Sequence, residues 1–337
     1  MKRRLLLIVI TAWGTLLGQT PGTEPDVPRP GVKEVQVPFA SLEPSATFKI
    51  GETADWVVVT KDAVWVAGSQ PYSLQRIDPA SNKVVAKIDL PGEACSGLEE
   101  GFGSIWVPIC AKAPALAKVD ELTNKVMATF PIGPAGPEGG IAASSDSIWM
   151  VTDKKGTLSR IDPATGKALQ KISIPPGAYN PVFSKGVVWI TGFDSGVLIA
   201  VDASSGKVVA SISVGPKPRF LTAGGGSVWT LNQGDGSVSR VDMKSKKLAA
   251  TIGLGIPGPG GDICYGGDSV WTTVFQFPLT RVEAGTNKVV RQWVGDGGDS
   301  MRFGHNSIWL TDYHKGLLQR FPYKSIVHPT DSHGPHG

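Results

Sequence analysis

A tetrapeptide ending in tryptophan recurs seven times, and its spacing restricts the fold more than any other feature of the chain. The copies are Asp62-Ala63-Val64-Trp65, Gly103-Ser104-Ile105-Trp106, Asp146-Ser147-Ile148-Trp149, Gly186-Val187-Val188-Trp189, Gly226-Ser227-Val228-Trp229, Asp268-Ser269-Val270-Trp271 and Asn306-Ser307-Ile308-Trp309. Successive tryptophans lie 41, 43, 40, 40, 42 and 38 residues apart. A fixed period near 40 with β-branched content marks a repeat array in which each unit buries its apolar faces against its neighbours. The length of 337 residues would otherwise suggest two domains.

The third repeat shows the unit most clearly. Gly140-Ile141-Ala142-Ala143 reads as a short inner strand and Ser147 to Thr152 as the tryptophan strand. Thr157 to Asp162 alternates, Pro163-Ala164-Thr165-Gly166 makes a turn, and Lys167 to Ile174 forms an outer strand. Asn82, Asn124, Gly166, Gly206 and Asn287 share the position in that turn that needs positive φ. Lys246 occupies it in the fifth repeat, so that turn is expected to differ. The 42 Gly and 26 Pro fall at such turns rather than in one low-complexity block. No long segment has a 3.6-residue period, which excludes a helical solenoid. The expected fold is all-β: a seven-bladed β-propeller of four-stranded blades, with the tryptophans packed between blades.

The seventh repeat stops after Leu317 to Phe321, without an outer strand, while Ala46-Thr47-Phe48-Lys49-Ile50-Gly51 resembles an outer strand without a blade. Residues 45–50 are therefore expected to complete the last blade and close the ring, removing free sheet edges. Lys2-Arg3-Arg4 followed by Leu5 to Leu17 has the charged and apolar regions of a secretory signal, with cleavage near Gly18 to Thr20. A retained N-terminal anchor is the alternative. The division expected is 1–20 signal peptide, 21–44 Pro-rich extended linker, 45–322 propeller and 323–337 disordered polar tail. The protein is expected in the periplasm or secreted, as a monomer, without an integral membrane span after cleavage. The net charge of +4 includes the three basic residues of that leader, so no basic surface points to nucleic acid.

Cys95 and Cys110 flank the hairpin of the second repeat. A two-residue loop places Gly101 opposite Ser104 and, in the same register, Cys95 opposite Cys110; a three-residue loop shifts the pairing by one. A disulfide is expected, with two free thiols or a metal pair as alternatives. Cys264 reads as a buried small apolar residue.

Ligands of such a ring would meet the channel mouth, formed by the segments before the inner strands and after the tryptophan strands. Candidate ligand-binding residues there are Glu138, Arg219, Asn232, Asp235, Asp262, Asp299, Arg302, Asp312 and His314. Tyr179, Asn180, Lys217 and Tyr313 map to the same end. Asp235-Gly236 also reads as a simple turn. Arg302 lies within an inner strand and needs a partner, Asp299 or Asp262, either as an inter-blade salt bridge or as part of an anion or carboxylate site. His305 maps to the opposite face, and His328, His333 and His336 to the tail. No HExxH, GxSxG, P-loop or Cys/His metal spacing occurs. No metal site or catalytic residue is assigned and no cofactor is established, although Ca2+ or Mg2+ on Asp262, Asp299 and Asp312 is compatible with oxygen-only ligation.

Leu158-Ser159-Arg160-Ile161-Asp162-Pro163-Ala164-Thr165-Gly166-Lys167 and Asn82-Lys83-Val84-Val85-Ala86-Lys87-Ile88 resemble the repeats of the YVTN-type, YncE-like periplasmic propellers. That resemblance covers nearly all of residues 45–321 and implies the fold rather than an activity. The segments before the tryptophan strands are also similar to those of the streptogramin B (virginiamycin B) lyase superfamily, which implies a metal-dependent lyase using His residues and a Glu. Here Glu138 stands where a His is expected, and Cys95, Ala178, Pro218, Gly260 and Gly298 are not His either, so that catalytic set does not carry over. The leading expectation is an exported propeller that binds a small molecule or a protein partner at its channel mouth. The alternative is a metal-dependent lyase or a lactonase-like hydrolase.

Overall fold

The computed structural model describes residues 28–328, so the leader expected over 1–20 lies outside the described residues. Seven sheets form a ring, and neighbouring inner strands touch all the way round, including those of blades seven and one. Blade one has the strand order Thr53–Val59, Val64–Ser69, Ser73–Asp78, Lys83–Asp89 from the channel outward, and the other blades repeat it. The fold is a seven-bladed β-propeller, as the tryptophan period requires.

Burial follows position in the blade. The tryptophan strand is covered on both faces by neighbouring blades, so Ser307–Asp312 is buried throughout. The outer strand keeps solvent on its edge, and Lys247–Gly253 is mostly exposed. All seven motif tryptophans are at most 1% exposed. Burying a ring of this size contributes roughly 5 kcal/mol as an upper figure.

The third strand completes each tryptophan's setting. Trp65, Trp106, Trp149, Trp229, Trp271 and Trp309 pair across the hairpin with Arg76, Lys118, Arg160, Arg240, Arg281 and Arg320. Each of these cations lies over its ring, at 4.8 to 5.7 Å from the centroid. The motif serine holds the guanidinium, since Nε of Arg160, Arg240, Arg281 and Arg320 donates to Ser147, Ser227, Ser269 and Ser307. Several of these cations then reach the outer turn of the next blade. Arg76 donates to Asn124 Oδ1, Arg240 to Asn287 Oδ1 and, across the ring closure, Arg320 to Asn82 Oδ1. The turn at Lys246 does not differ from the others. Its φ is 54°, and its N–H donates to Asp242 as Asn124 and Asn287 donate to Asp120 and Glu283. The short hydrogen-bonded turn imposes the left-handed conformation whatever the side chain.

Ala46–Lys49 pairs antiparallel with Leu317–Pro322 and completes blade seven, with Phe48 buried near Trp309. The Pro-rich stretch is structured where it is described. Gln36–Pro38 adds a parallel fifth strand to the outer edge of blade six, and Phe39 meets Phe321 edge-on at 5.7 Å. Val37, Phe39 and Leu42 supply the apolar contacts that hold this strap. The region read as a tail begins instead with a helix, Tyr323–Val327. Ile326 is buried, and Tyr323 packs against Trp271 and Phe303 and donates to the Gly267 carbonyl. His333 and His336 fall outside the described residues.

Cys95 and Cys110 form a disulfide with Cα atoms 5.6 Å apart. The hairpin turn is the two-residue one, with Gly101 opposite Ser104. The register nevertheless slips by two before it reaches the cysteines, since Glu93 faces Cys110 and Ala94 faces Ile109. The inner strand breaks between Ala94 and Glu99. The disulfide thus spans a bulge in the strand rather than a directly opposed pair. Cys264 is a buried free thiol.

Candidate functional site

Seven inner strands carry seven equivalent sets of side chains to the channel. Ten residues before each motif tryptophan stand Asp55, Ser96, Gly139, Tyr179, Arg219, Gly261 and Asp299. One residue further on are Trp56, Gly97, Gly140, Asn180, Phe220, Asp262 and Ser300. The ladder is interrupted at this level in three blades, with register shifts at Asp55/Val57, Ala178/Pro181 and Pro218/Phe220. Such bulges turn successive side chains away from strict alternation. At Trp56 the backbone is left-handed, with φ 51°, which costs a non-glycine residue roughly 1–2 kcal/mol. Its N–H is held by Asp55 Oδ1 at 2.7 Å.

The side chains form two levels. The upper level, at the mouth, holds Asp55, Glu138, Arg219 and Asp299. Asp55 and Asp299 lie close enough for each carboxyl to feel the other. Each keeps a sliver of surface in the channel while protein surrounds it on the other sides. Burial, then repulsion from Asp299 and Glu138, pushes Asp55 well above the usual carboxyl range. Burial, then Glu138 and Asp262, pushes Asp299 up to about 8. Glu138 is also raised by burial, against the opposing effect of Arg219. Arg219 lies 3.8 Å from the centroid of Tyr179 and 5.4 Å from that of Phe193, and donates to the Pro137 carbonyl. Tyr313 feels the same acidic field, its hydroxyl raised first by burial and then by Asp55 and Asp299.

Trp56 of blade one reaches across the ring to Phe220 of blade five, with centroids 6.3 Å apart, and both side chains are buried. They help to line a lower cavity of about 120 Å3, whose walls also include Leu98, Glu99, Thr222 and Arg302. Asp262 joins the levels. Its carboxylate accepts from Ile263 N, Ser300 Oγ, Met301 N and Arg302 Nη1. Blades six and seven are thereby tied at the channel, and Ser300 Oγ accepts from Val57 N of blade one. On the opposite side Asn180 Nδ2 donates to the Glu138 and Arg219 carbonyls and links blades three, four and five.

Of the residues singled out from the sequence, Glu138, Arg219, Asp262, Asp299 and Arg302 come together around the channel. The other four do not join them. Asn232 is buried within blade five, spent on Thr230, Ser237 and Ser239. Asp235 caps its own turn through Ser237. Asp312 pairs with Lys315 beside a separate cleft of about 350 Å3, between the strap at Phe39 and blade seven. His314 is exposed, against Phe275 and Tyr313. Among the described residues no three His, Cys, Asp or Glu side chains are grouped so as to hold a metal ion. Asp55, Trp56 and Glu99 were missed by sequence reasoning. The signal that finds Asp55 is its alignment with Arg219 and Asp299, ten residues before the tryptophan.

No protein-family model matches this chain, and no curated protein matches it.

Proposed function

We propose that this protein is an exported, monomeric binding propeller that takes a small organic cation at its channel mouth. One observation carries this reading. Four carboxyl groups from blades one, three, six and seven (Asp55, Glu138, Asp262 and Asp299) crowd one end of the channel, and only Asp262 among them is paired with a guanidinium, through Nη1 of Arg302. The ring does not need this crowding in order to close. Asp55 and Asp299 keep their protons there because of the crowding, and an entering cation takes the place of those protons, as expected where a structure accepts local cost for function. The aromatic wall suits the same guest. Arg219 stacked on Tyr179 shows that these faces accept a cation.

The repeat text supports kinship with the YVTN-type propellers, and the Cys95–Cys110 disulfide supports export to an oxidising compartment. No helix among the described residues is long and apolar enough to cross a membrane. Thermal shift and calorimetry with choline, arginine and spermidine at low and high salt test the cation reading. The expected result is a saturable rise in Tm that weakens with salt and disappears in Asp55→Asn/Asp299→Asn. A folded protein that responds to none of these cations at millimolar concentration overturns it.

A further inference from the structure

The lower cavity differs in chemistry from the mouth. Arg302 uses only Nη1, on Asp262 Oδ2 and the Met301 carbonyl. Among the described residues its Nε and Nη2 make no hydrogen bond, although the side chain retains 30% of its surface. Glu99, across the cavity, makes no hydrogen bond to any described residue, and neither does the Thr222 hydroxyl. Asn180 offers no free donor, because its amide nitrogen is spent on two carbonyls. The Asp262 carboxylate also lines the cavity beside Arg302, and the apolar part of the wall is chiefly Leu98, Ile141 and Phe220.

We propose that this cavity is a second binding site, separate from the mouth, and that it takes a short aliphatic monocarboxylate such as propionate or butyrate. The unused edge of the guanidinium matches a carboxylate's two oxygens. The Thr222 hydroxyl and the protonated Glu99 carboxyl supply further donors. Burial holds Glu99 in that form by pushing it up to about 8, against the opposing charge of Arg302. The volume of about 120 Å3 admits a few heavy atoms but no large ligand, since about 150 Å3 holds benzene. The alkyl end lies along Leu98, Ile141 and Phe220. Asp262 balances the charge of Arg302, so the cavity selects a carboxylate through its unused hydrogen-bond donors rather than through net charge.

The charged groups acting on Glu99 are Arg302 of blade seven and its neighbour Glu100, and Arg302 is in turn faced by Asp262 and Cys264 of blade six. Ionising Glu99 places a negative charge against the bound carboxylate. Affinity is therefore full below pH 7 and falls as pH rises through about 8, by about tenfold between pH 6 and pH 9 from this group alone. Acetate, propionate and butyrate are titrated into the full chain by calorimetry at both pH values, with Tm recorded for every variant. One-to-one binding at pH 6 is expected. Glu99→Gln should bind with a much flatter pH profile, Thr222→Val several-fold more weakly, and Ile141→Trp, which fills the cavity, not at all. The proposal is overturned if no short carboxylate binds at millimolar concentration, leaving the cavity to water. It is equally overturned if binding survives in a folded Ile141→Trp, or if the pH profile is unchanged in Glu99→Gln.

Discussion

At the scale of single residues, the motif is a packing device with a second function built into its flanks. The tryptophan fills the space between blades, the serine two positions earlier orients an arginine, and the arginine grips the next blade's turn. The asparagine in that turn therefore acts twice. Asn287 adopts φ 58° and accepts from Arg240 at 3.0 Å. Asn287→Ala should destabilise by about 1–2 kcal/mol in urea unfolding, and Asn287→Gly by roughly half as much, because glycine restores only the backbone preference. Asp299 gives the opposite case, a residue that weakens the fold. Its folded value of about 8 exceeds the ordinary 3.8, so the folded chain binds the extra proton between those limits. Its cost is absent below about pH 4, grows as pH rises between those values and is complete above 8. Asp299→Asn should flatten the fall in stability over that window, by at most about 1.4 kcal/mol per pH unit at the steepest point, read from urea midpoints across pH.

At the scale of elements, each strand's composition follows from what covers it. Tryptophan strands are buried on both faces and carry no charge before their last residue, with Ser and Thr among the apolar side chains, whereas most outer strands keep a solvent edge and carry lysines. Inner strands are the least regular because they bend around the channel, and their bulges aim Trp56, Phe220 and Asn180 inward. In blade two the break is large enough to split the strand, and the disulfide bridges it. The closed loop spans a separation of 15 residues, for which chain entropy gives about 3 kcal/mol. Cys95→Ser/Cys110→Ser should lose about that much in denaturant titration. It should also weaken carboxylate binding more than the loss of Cys264 does, because the segment 95–98 delivers Leu98 to the cavity.

At the scale of the whole molecule, closure makes the ends of the chain interdependent. The N-terminal segment covers blade six with Gln36–Pro38 and completes blade seven with Ala46–Lys49, and Arg320 of blade seven holds the turn of blade one. Deleting residues 45–50 should lower Tm sharply and expose the edge of Leu317–Pro322. Deleting 28–38 should have a smaller effect, since blade six keeps its own four strands. Differential scanning calorimetry of both truncations distinguishes these outcomes, and an unchanged Tm in the first would remove the closure model.

The period of the tryptophans by itself determined the number of blades, the strand order within each and the role of residues 45–50, because burial between identical units imposes the same pattern on every repeat. The tight turn did the same for the disulfide's place, although not for its register. Sequence reasoning reached Glu138, Arg219, Asp262, Asp299 and Arg302 because they flank recognisable inner strands. It could not separate them from Asn232, Asp235, Asp312 and His314, which flank the same strands but satisfy themselves locally or face another cleft. That choice depends on the path of the inner strands around the channel, which bulges alter in blades one, four and five. A one-residue insertion in a strand changes which side chain enters the channel, and it depends on contacts between blades that are distant in sequence. Only the tertiary structure set Trp56 against Phe220, divided the channel into two levels and left Arg302 and Glu99 with unused hydrogen-bonding groups in the lower one.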